Sequence, residues 1–127
     1  MTMVVGLGVD LVETARVDRL LARYGDRFVR RLMDPEEAAR LPAAGSARVR
    51  DLALAIAGKE AASKALGTGW SRGVRWRDVV VTRDEPPTVR LRGRAAEVAR
   101  KRGSSGQSRT RLAVHGLLAI GEVWLLR

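Results

Sequence analysis

An α+β fold, in which a small, largely antiparallel sheet packs on one long helix with shorter helices around it, is predicted by three observations. Met3 to Val9 is a nearly continuous apolar run that reads as a buried strand. Ala57 to Leu66 is alanine-rich, with no proline and no glycine after Gly58, and Gly67-Thr68-Gly69 closes it in the way helices commonly close. Asp78 to Thr82 and Thr88 to Arg92 are β-rich segments separated by the turn Asp84-Glu85-Pro86-Pro87, the pattern of a hairpin. A chain of 127 residues fits one domain, 1–127, with a real hydrophobic core.

Taken in order, the first strand contains Gly6 and Gly8, which allow another backbone to approach closely. The strand ends on Asp10, and two roles suit a carboxylate at that point: N-cap of the next helix, or ligand of a hard cation. From Glu13 the period becomes helical, with Val17, Leu20, Leu21, Tyr24 and Phe28 on one side and Arg16, Arg19 and Arg23 on another. Gly25 breaks this helix. Like charges at such spacing repel by about a few tenths of a kcal/mol per pair, a cost that an acidic partner would offset.

Asp34-Pro35-Glu36-Glu37 signals a helix start, with Asp34 as N-cap, Pro35 at the first helical position and Glu37 completing a capping box. That short helix reaches about Leu41. Pro42 to Ser46 is a loop, and Ser46 stands where it could cap the long helix, which runs to Leu66 and packs through Leu52, Ile56 and its alanines. Inside the long helix Glu60 and Lys64, four apart, share one face, while Lys59 points elsewhere. The ordinary use of that spacing is a surface ion pair worth about a few tenths of a kcal/mol. After the hairpin, Arg94 to Arg102 is a short helix with Ala95, Val98 and Ala99 on its apolar side. Ser104 to Thr110 reads as the most flexible segment, and Leu112–Val114 and Val123–Leu126 as closing strands.

Composition narrows the function classes. No apolar run reaches the length of a membrane span, and the first ten residues lack a basic leader and reach Asp10 early, so the chain reads as a soluble cytoplasmic protein. With no cysteine and one histidine, disulfides and the usual zinc sites are excluded, and any metal is expected to be a hard ion on carboxylates. The formal charge of +10, from 24 basic against 14 acidic side chains, attracts polyanions. Tyr24, Phe28 and three tryptophans give little material for base stacking, so nucleic acid is disfavoured against a phosphate-rich cofactor or an acidic protein.

Three signatures in fixed order carry a resemblance: G-L-G-V-D-L-V-E-T-A-R at Gly6 to Arg16, R-F-V-R-R-L-M-D-P-E-E at Arg27 to Glu37, and G-K-E-A-A-S-K-A-L-G-T-G at Gly58 to Gly69. Together with P-T-V-R-L-R-G at Pro87 to Gly93 and His115, the chain resembles the holo-acyl-carrier-protein synthase branch of the 4′-phosphopantetheinyl transferases over nearly its whole length. The resemblance implies a fold of that kind and transfer of phosphopantetheine from coenzyme A to a serine of an acidic acyl carrier protein, with release of adenosine 3′,5′-bisphosphate. It also implies a homotrimer with active sites at subunit junctions and a place in fatty acid and lipid metabolism. Carried over by position, it makes Asp10 and Glu60 the magnesium ligands and Lys64, with Glu60, a catalytic residue beside the reacting phosphate. Gly67, Thr68, Gly69 and His115 fall in the coenzyme-binding positions, and Arg16, Arg19 and Arg23 in the face that meets the carrier protein.

The residue types suit that chemistry on independent grounds, because attack on a pyrophosphate needs charge neutralisation and alignment more than a covalent relay. Magnesium commonly takes one or two protein carboxylates and fills its octahedron with phosphate oxygens and water. For Lys64 two roles stay open at this point, phosphate donor or base toward the serine hydroxyl. The chain also departs from the family pattern. Ala55 and Ile56 stand where the branch usually has arginine and an aromatic residue, and Ala113 and Gly116-Leu117-Leu118 flank His115 where polar residues are usual. His115 is therefore either a coenzyme contact or an ordinary strand histidine, and the alternative reading of the whole chain is a basic binding module without catalysis, or an inactive homologue, that binds an acidic protein or nucleic acid.

Overall fold

The computed structural model describes residues 3–127, so the expectation for the first residues of the chain lies partly outside it, at Met1 and Thr2. The chain runs as β1 (Val4–Glu13), α1 (Thr14–Tyr24), α2 (Asp26–Leu32), α3 (Pro35–Ala39), α4 (Gly45–Leu66), β2 (Val79–Thr82), β3 (Thr88–Leu91), α5 (Gly93–Lys101), β4 (Ser108–His115) and β5 (Leu118–Leu126). The strands form two antiparallel sheets rather than one: a three-stranded sheet in the order β1-β5-β4, and the β2-β3 hairpin.

α4 is the centre of the molecule. Every residue from Leu52 to Leu66 is buried except Leu54 and Glu60, which are half-buried, and Lys64, which is exposed. One side of the helix carries Ala57, Ala61 and Ala65 at a four-residue repeat, and the sheet answers with Gly121, Gly8 and Gly6. A Cβ at any of these three glycines would come within 3.0 Å of α4 backbone atoms, of Ala57, Ala61 and Ala65 respectively. Helix and strands therefore meet backbone to backbone, which only a side chain of hydrogen permits. The other sides of α4 are covered by two apolar clusters. Val17 from α1, Val29 and Leu32 from α2, and Met33 just after it pack against Leu52 and Ile56. Val79, Val81 and Val89 from the hairpin pack, with Ala95, Val98 and Ala99 from α5, against Ala62 and Leu66.

Several sequence expectations are corrected in detail. β1 continues past Asp10 to Glu13, because Leu11 and Val12 keep the alternating pattern and their pairing with Ile120 and Ala119 on β5 extends the ladder. Asp10 is consequently a mid-strand residue and not a helix cap; Glu13 holds the cap position of α1 without a side-chain bond. Tyr24 is exposed, since α1 stops there and Gly25, at φ 57°, turns the chain into α2. Asp34 caps α3 as expected, accepting from the Glu37 backbone N–H at 2.8 Å, but the Glu37 side chain does not return to Asp34 and instead enters the core. Ser46 does not cap α4; Ala44 holds that position with no side-chain bond. Ser108 to Thr110 belong to β4, drawn into the ladder opposite Leu125, Trp124 and Val123, so the connection from α5 runs from Arg102 to Gln107. Among the described residues, no helix is long and apolar enough to cross a membrane.

Candidate active site

The glycine–alanine seam decides what stands beside what. Asp10 is two residues beyond Gly8 on β1 and so points, like Gly8, toward α4. Lys64, beside Ala65 on α4, meets it: Nζ donates to Asp10 Oδ1 at 2.7 Å and to the Val9 carbonyl at 3.2 Å. The ion pair therefore crosses from helix to strand and does not run along the helix to Glu60, as the four-residue spacing alone suggests. Arg102 holds the same seam closed at its far end, donating to the carbonyls of Leu66 on α4 and Val5 on β1, each at 3.2 Å.

Glu60 lies one turn before Lys64. Burial pushes its carboxyl above the usual glutamate range, a bond from the Trp70 indole opposes this, and the negative charge of Asp10 pushes in the same direction as burial. Lys64 and Arg16 favour the charged form from either side, so the first arginine of the α1 stripe acts on the same carboxylate. The hydrogen bond to Asp10 holds the Lys64 ammonium above the usual lysine range. Asp10 engages Lys64 through Oδ1 and Glu60 engages Trp70 through Oε2, which leaves the second oxygen of each carboxylate for another ligand. Two neighbouring carboxylates, each with an oxygen free of protein partners, are a donor set that suits a hard divalent cation, and the fit to magnesium is good on these grounds. Among the described residues no cluster of three or more acids and histidines exists, so a cation held by Asp10 and Glu60 would need further ligands from outside the protein.

The loop after α4 supplies the rest of the setting. Gly67 takes φ 80° and its N–H bonds to the Lys64 carbonyl at 3.0 Å, while the Gly69 N–H reaches back to the Ser63 carbonyl at 3.1 Å. Only glycine adopts such backbone without strain. Gly67, Thr68 and Gly69 are therefore the stop of α4, immediately past Lys64, and the loop returns Trp70 to the side of Glu60, with Nε1 3.3 Å from Oε2.

Arg16, Arg19 and Arg23 are exposed along α1. His115 is not brought to this cluster. It alternates with Val114 and Leu112, which face α4, and so stands with Ala113 and Arg111 on the opposite, outer face of the sheet. That outer face also carries Leu7, Val9, Leu11 and Trp124, all exposed. Ala55 is fully buried in the cluster under α1, so the place where the branch usually has an arginine is core in this chain. A surface concavity of about 1280 Å³ opens between α1, the first half of α4 and the β4–β5 turn, and its lining includes none of Asp10, Glu60 and Lys64.

The 4′-phosphopantetheinyl transferase superfamily is the family whose model matches the sequence, over residues 6–114. The chain belongs to the holo-acyl-carrier-protein synthase branch of that superfamily. A holo-[acyl-carrier-protein] synthase of Alkalilimnicola ehrlichii is 48% identical over 106 residues, 82% of this chain and 83% of that relative. The crystal structure of the Neisseria meningitidis synthase superposes with a TM-score of 0.82 at 30% identity, covering 97% of this chain and 98% of the other. The Bacillus anthracis synthase, solved in complex with coenzyme A (3′,5′-ADP), gives a TM-score of 0.75 at 27% identity, with 98% and 97% covered. Membership makes the protein a transferase and accounts for the shared α+β architecture.

Two side chains that sequence reasoning passed over matter to the site. Lys59, in the residue before Glu60, is fully buried, and its Nζ donates to Glu37 Oε1 at 2.9 Å, to the Trp76 carbonyl at 3.0 Å and to the Val79 carbonyl. Burial pushes this ammonium below the usual lysine range and Glu37 opposes the shift. The other Glu37 oxygen accepts the Val81 N–H at 2.9 Å, so one ion pair ties α3 and β2 to α4. The available signal was a lysine inside a run of small residues that has no room for it on the surface. For Trp70 no local signal exists.

Proposed function

We propose that this transferase moves the 4′-phosphopantetheine group from coenzyme A to a serine of an acidic acyl carrier protein, with magnesium held by Asp10 and Glu60. The observation that carries the reading is the convergence of Asp10, Glu60 and Lys64 at one point of the helix–strand seam, with Arg16 acting on the same group. In the reaction the serine oxygen forms a bond to the phosphorus that bears the pantetheine. The bond from that phosphorus to the bridging oxygen breaks, adenosine 3′,5′-bisphosphate leaves with the electron pair, and the serine proton passes to solvent water. A magnesium ion in this place supplies charge neutralisation for the pyrophosphate. Lys64 acts as a hydrogen-bond donor to the phosphate rather than a base, because its bond to Asp10 favours the charged ammonium. Gly67, Thr68 and Gly69 offer loop backbone to the coenzyme next to Lys64, and the stripe Arg16, Arg19, Arg23 receives the acidic carrier protein.

The same reading takes the protein as a cytoplasmic homotrimer that serves fatty acid synthesis. The assembly is supported by the apolar outer face of the three-stranded sheet, where Leu7, Val9, Leu11 and Trp124 are exposed among the described residues. His115 lies on that face, and in a trimer it serves the coenzyme site of a neighbour rather than its own. Sedimentation velocity tests the assembly: a monomer at assay concentration counts against it.

The test of the activity is intact-mass spectrometry of an apo carrier protein incubated with this enzyme, coenzyme A and magnesium. A gain of one phosphopantetheine that disappears with chelator, and with Asp10→Ala or Glu60→Ala, is the expected result. Full turnover by either variant would overturn the metal assignment.

A further inference from the structure

Glu60 is held by more than its own helix. The Trp70 indole N–H donates to Glu60 Oε2 at 3.3 Å, and the Trp70 ring stacks on Trp76, with centroids 3.9 Å apart and planes 18° from parallel. The backbone carbonyl of Trp76 accepts from Lys59 Nζ at 3.0 Å. Lys59 is fully buried, and its other bonds run to Glu37 and Val79. The path therefore leaves α4 at Glu60, passes through two stacked indoles, and returns to α4 at Lys59, the adjacent residue. A closed ring of this kind restrains the glutamate carboxylate from outside the helix.

We propose that Trp70 is a positioning residue for Glu60, holding Oε2 so that the remaining carboxylate oxygen faces Asp10 and a divalent cation. This rests on the metal-ligand reading of Glu60 given above. A hydrogen-bond donor to the second oxygen of a ligating carboxylate fixes its orientation, and loss of such a partner commonly weakens metal binding by about 10–100-fold. The stack on Trp76 keeps the indole from turning away, and Lys59 keeps Trp76 in place, so the restraint exists before any ligand arrives.

The decisive variant is Trp70→Phe, which keeps an aromatic ring for the stack and removes only the N–H. Binding of Mn²⁺, followed by the electron paramagnetic resonance of the free ion in the presence of coenzyme A, is expected to weaken about 10-fold. Thermal melting and far-ultraviolet circular dichroism should stay those of the parent protein. In turnover the loss should fall on the magnesium KM more than on kcat. Mn²⁺ affinity equal to that of the parent protein would overturn the inference. Should Trp70→Phe fold poorly, the unaltered protein still decides. The Trp70 indole N–H resonance is expected to move on magnesium titration with the midpoint of metal binding, and a resonance that stays in place overturns the inference. Glu60→Gln separates the two levels of argument: if it binds Mn²⁺ as well as the parent protein, the metal reading of Glu60 itself fails, whatever Trp70→Phe does.

Discussion

Lys64 Nζ lies 2.7 Å from Asp10 Oδ1, so the lysine one turn after Glu60 is paired with a strand and not with its own helix. The pair joins two elements whose relative position is set by glycines. The bond to Asp10 also favours the charged form of the lysine, holding its pKa above the ordinary value of 10.5.

A base that is held protonated cannot accept a proton from serine near neutrality. The transfer rate is therefore expected not to climb between about pH 7 and pH 9 as it would if Lys64 had to lose its proton. A folded-state pKa raised by a partner means stability that is fully present below the ordinary lysine value and lost as pH rises through the raised one. Lys64→Ala should lower kcat/KM by about 100-fold or more, measured by carrier-protein modification across pH. A rate that climbs with the titration of a single group in that range, and loses this dependence in Lys64→Ala, would restore the lysine as base.

Gly8→Ala tests the seam. A Cβ there would fall within 3.0 Å of the Ala61 carbonyl and of the Ala65 nitrogen, both backbone atoms that cannot rotate away. The variant should lose at least about 2–3 kcal/mol in urea denaturation, at or beyond the usual range for overpacking. Transfer should fall further than stability alone explains, because the strand that carries Asp10 must move off α4.

Lys59→Met removes one partner of a buried pair and leaves Glu37 charged in the core. The expected cost is about 3–5 kcal/mol by urea denaturation. Combining it with Glu37→Gln, which keeps an acceptor for the Val81 N–H, should recover part of that loss. A double variant no more stable than Lys59→Met would show that geometry and not charge holds the network.

Arg19→Glu reverses the middle charge of the exposed stripe without touching the seam. Its KM for the carrier protein should rise about 10-fold, with the KM for coenzyme A unchanged, and the difference should shrink as salt is added. Equal sensitivity of both KM values would move the carrier surface elsewhere.

Much of this was legible in the sequence because it depends on short-range rules. Spacing along α4 put Glu60 and Lys64 on one face, Gly67-Thr68-Gly69 marked its end, and Asp34-Pro35 marked the start of α3. The glycines of β1 announced close approach, and Asp10 was a candidate because it follows them. The partners of these residues were not legible. Lys64 was free to pair along its helix or across it, and only the packing of Gly6 and Gly8 on Ala65 and Ala61 chose the strand. Glu37 fitted a capping box locally, yet a buried lysine 22 residues later in sequence offered a stronger bond. His115 and Asp10 were grouped by family pattern, and strand alternation put them on opposite faces of one sheet. The sequence by itself determined the elements, their ends and the chemical types at the site, since helix period, strand alternation and turn chemistry act within a few residues. Which of those residues touch was decided only by the tertiary structure, because that choice is made by contacts between segments far apart in the chain, where burial and steric fit outweigh local preference.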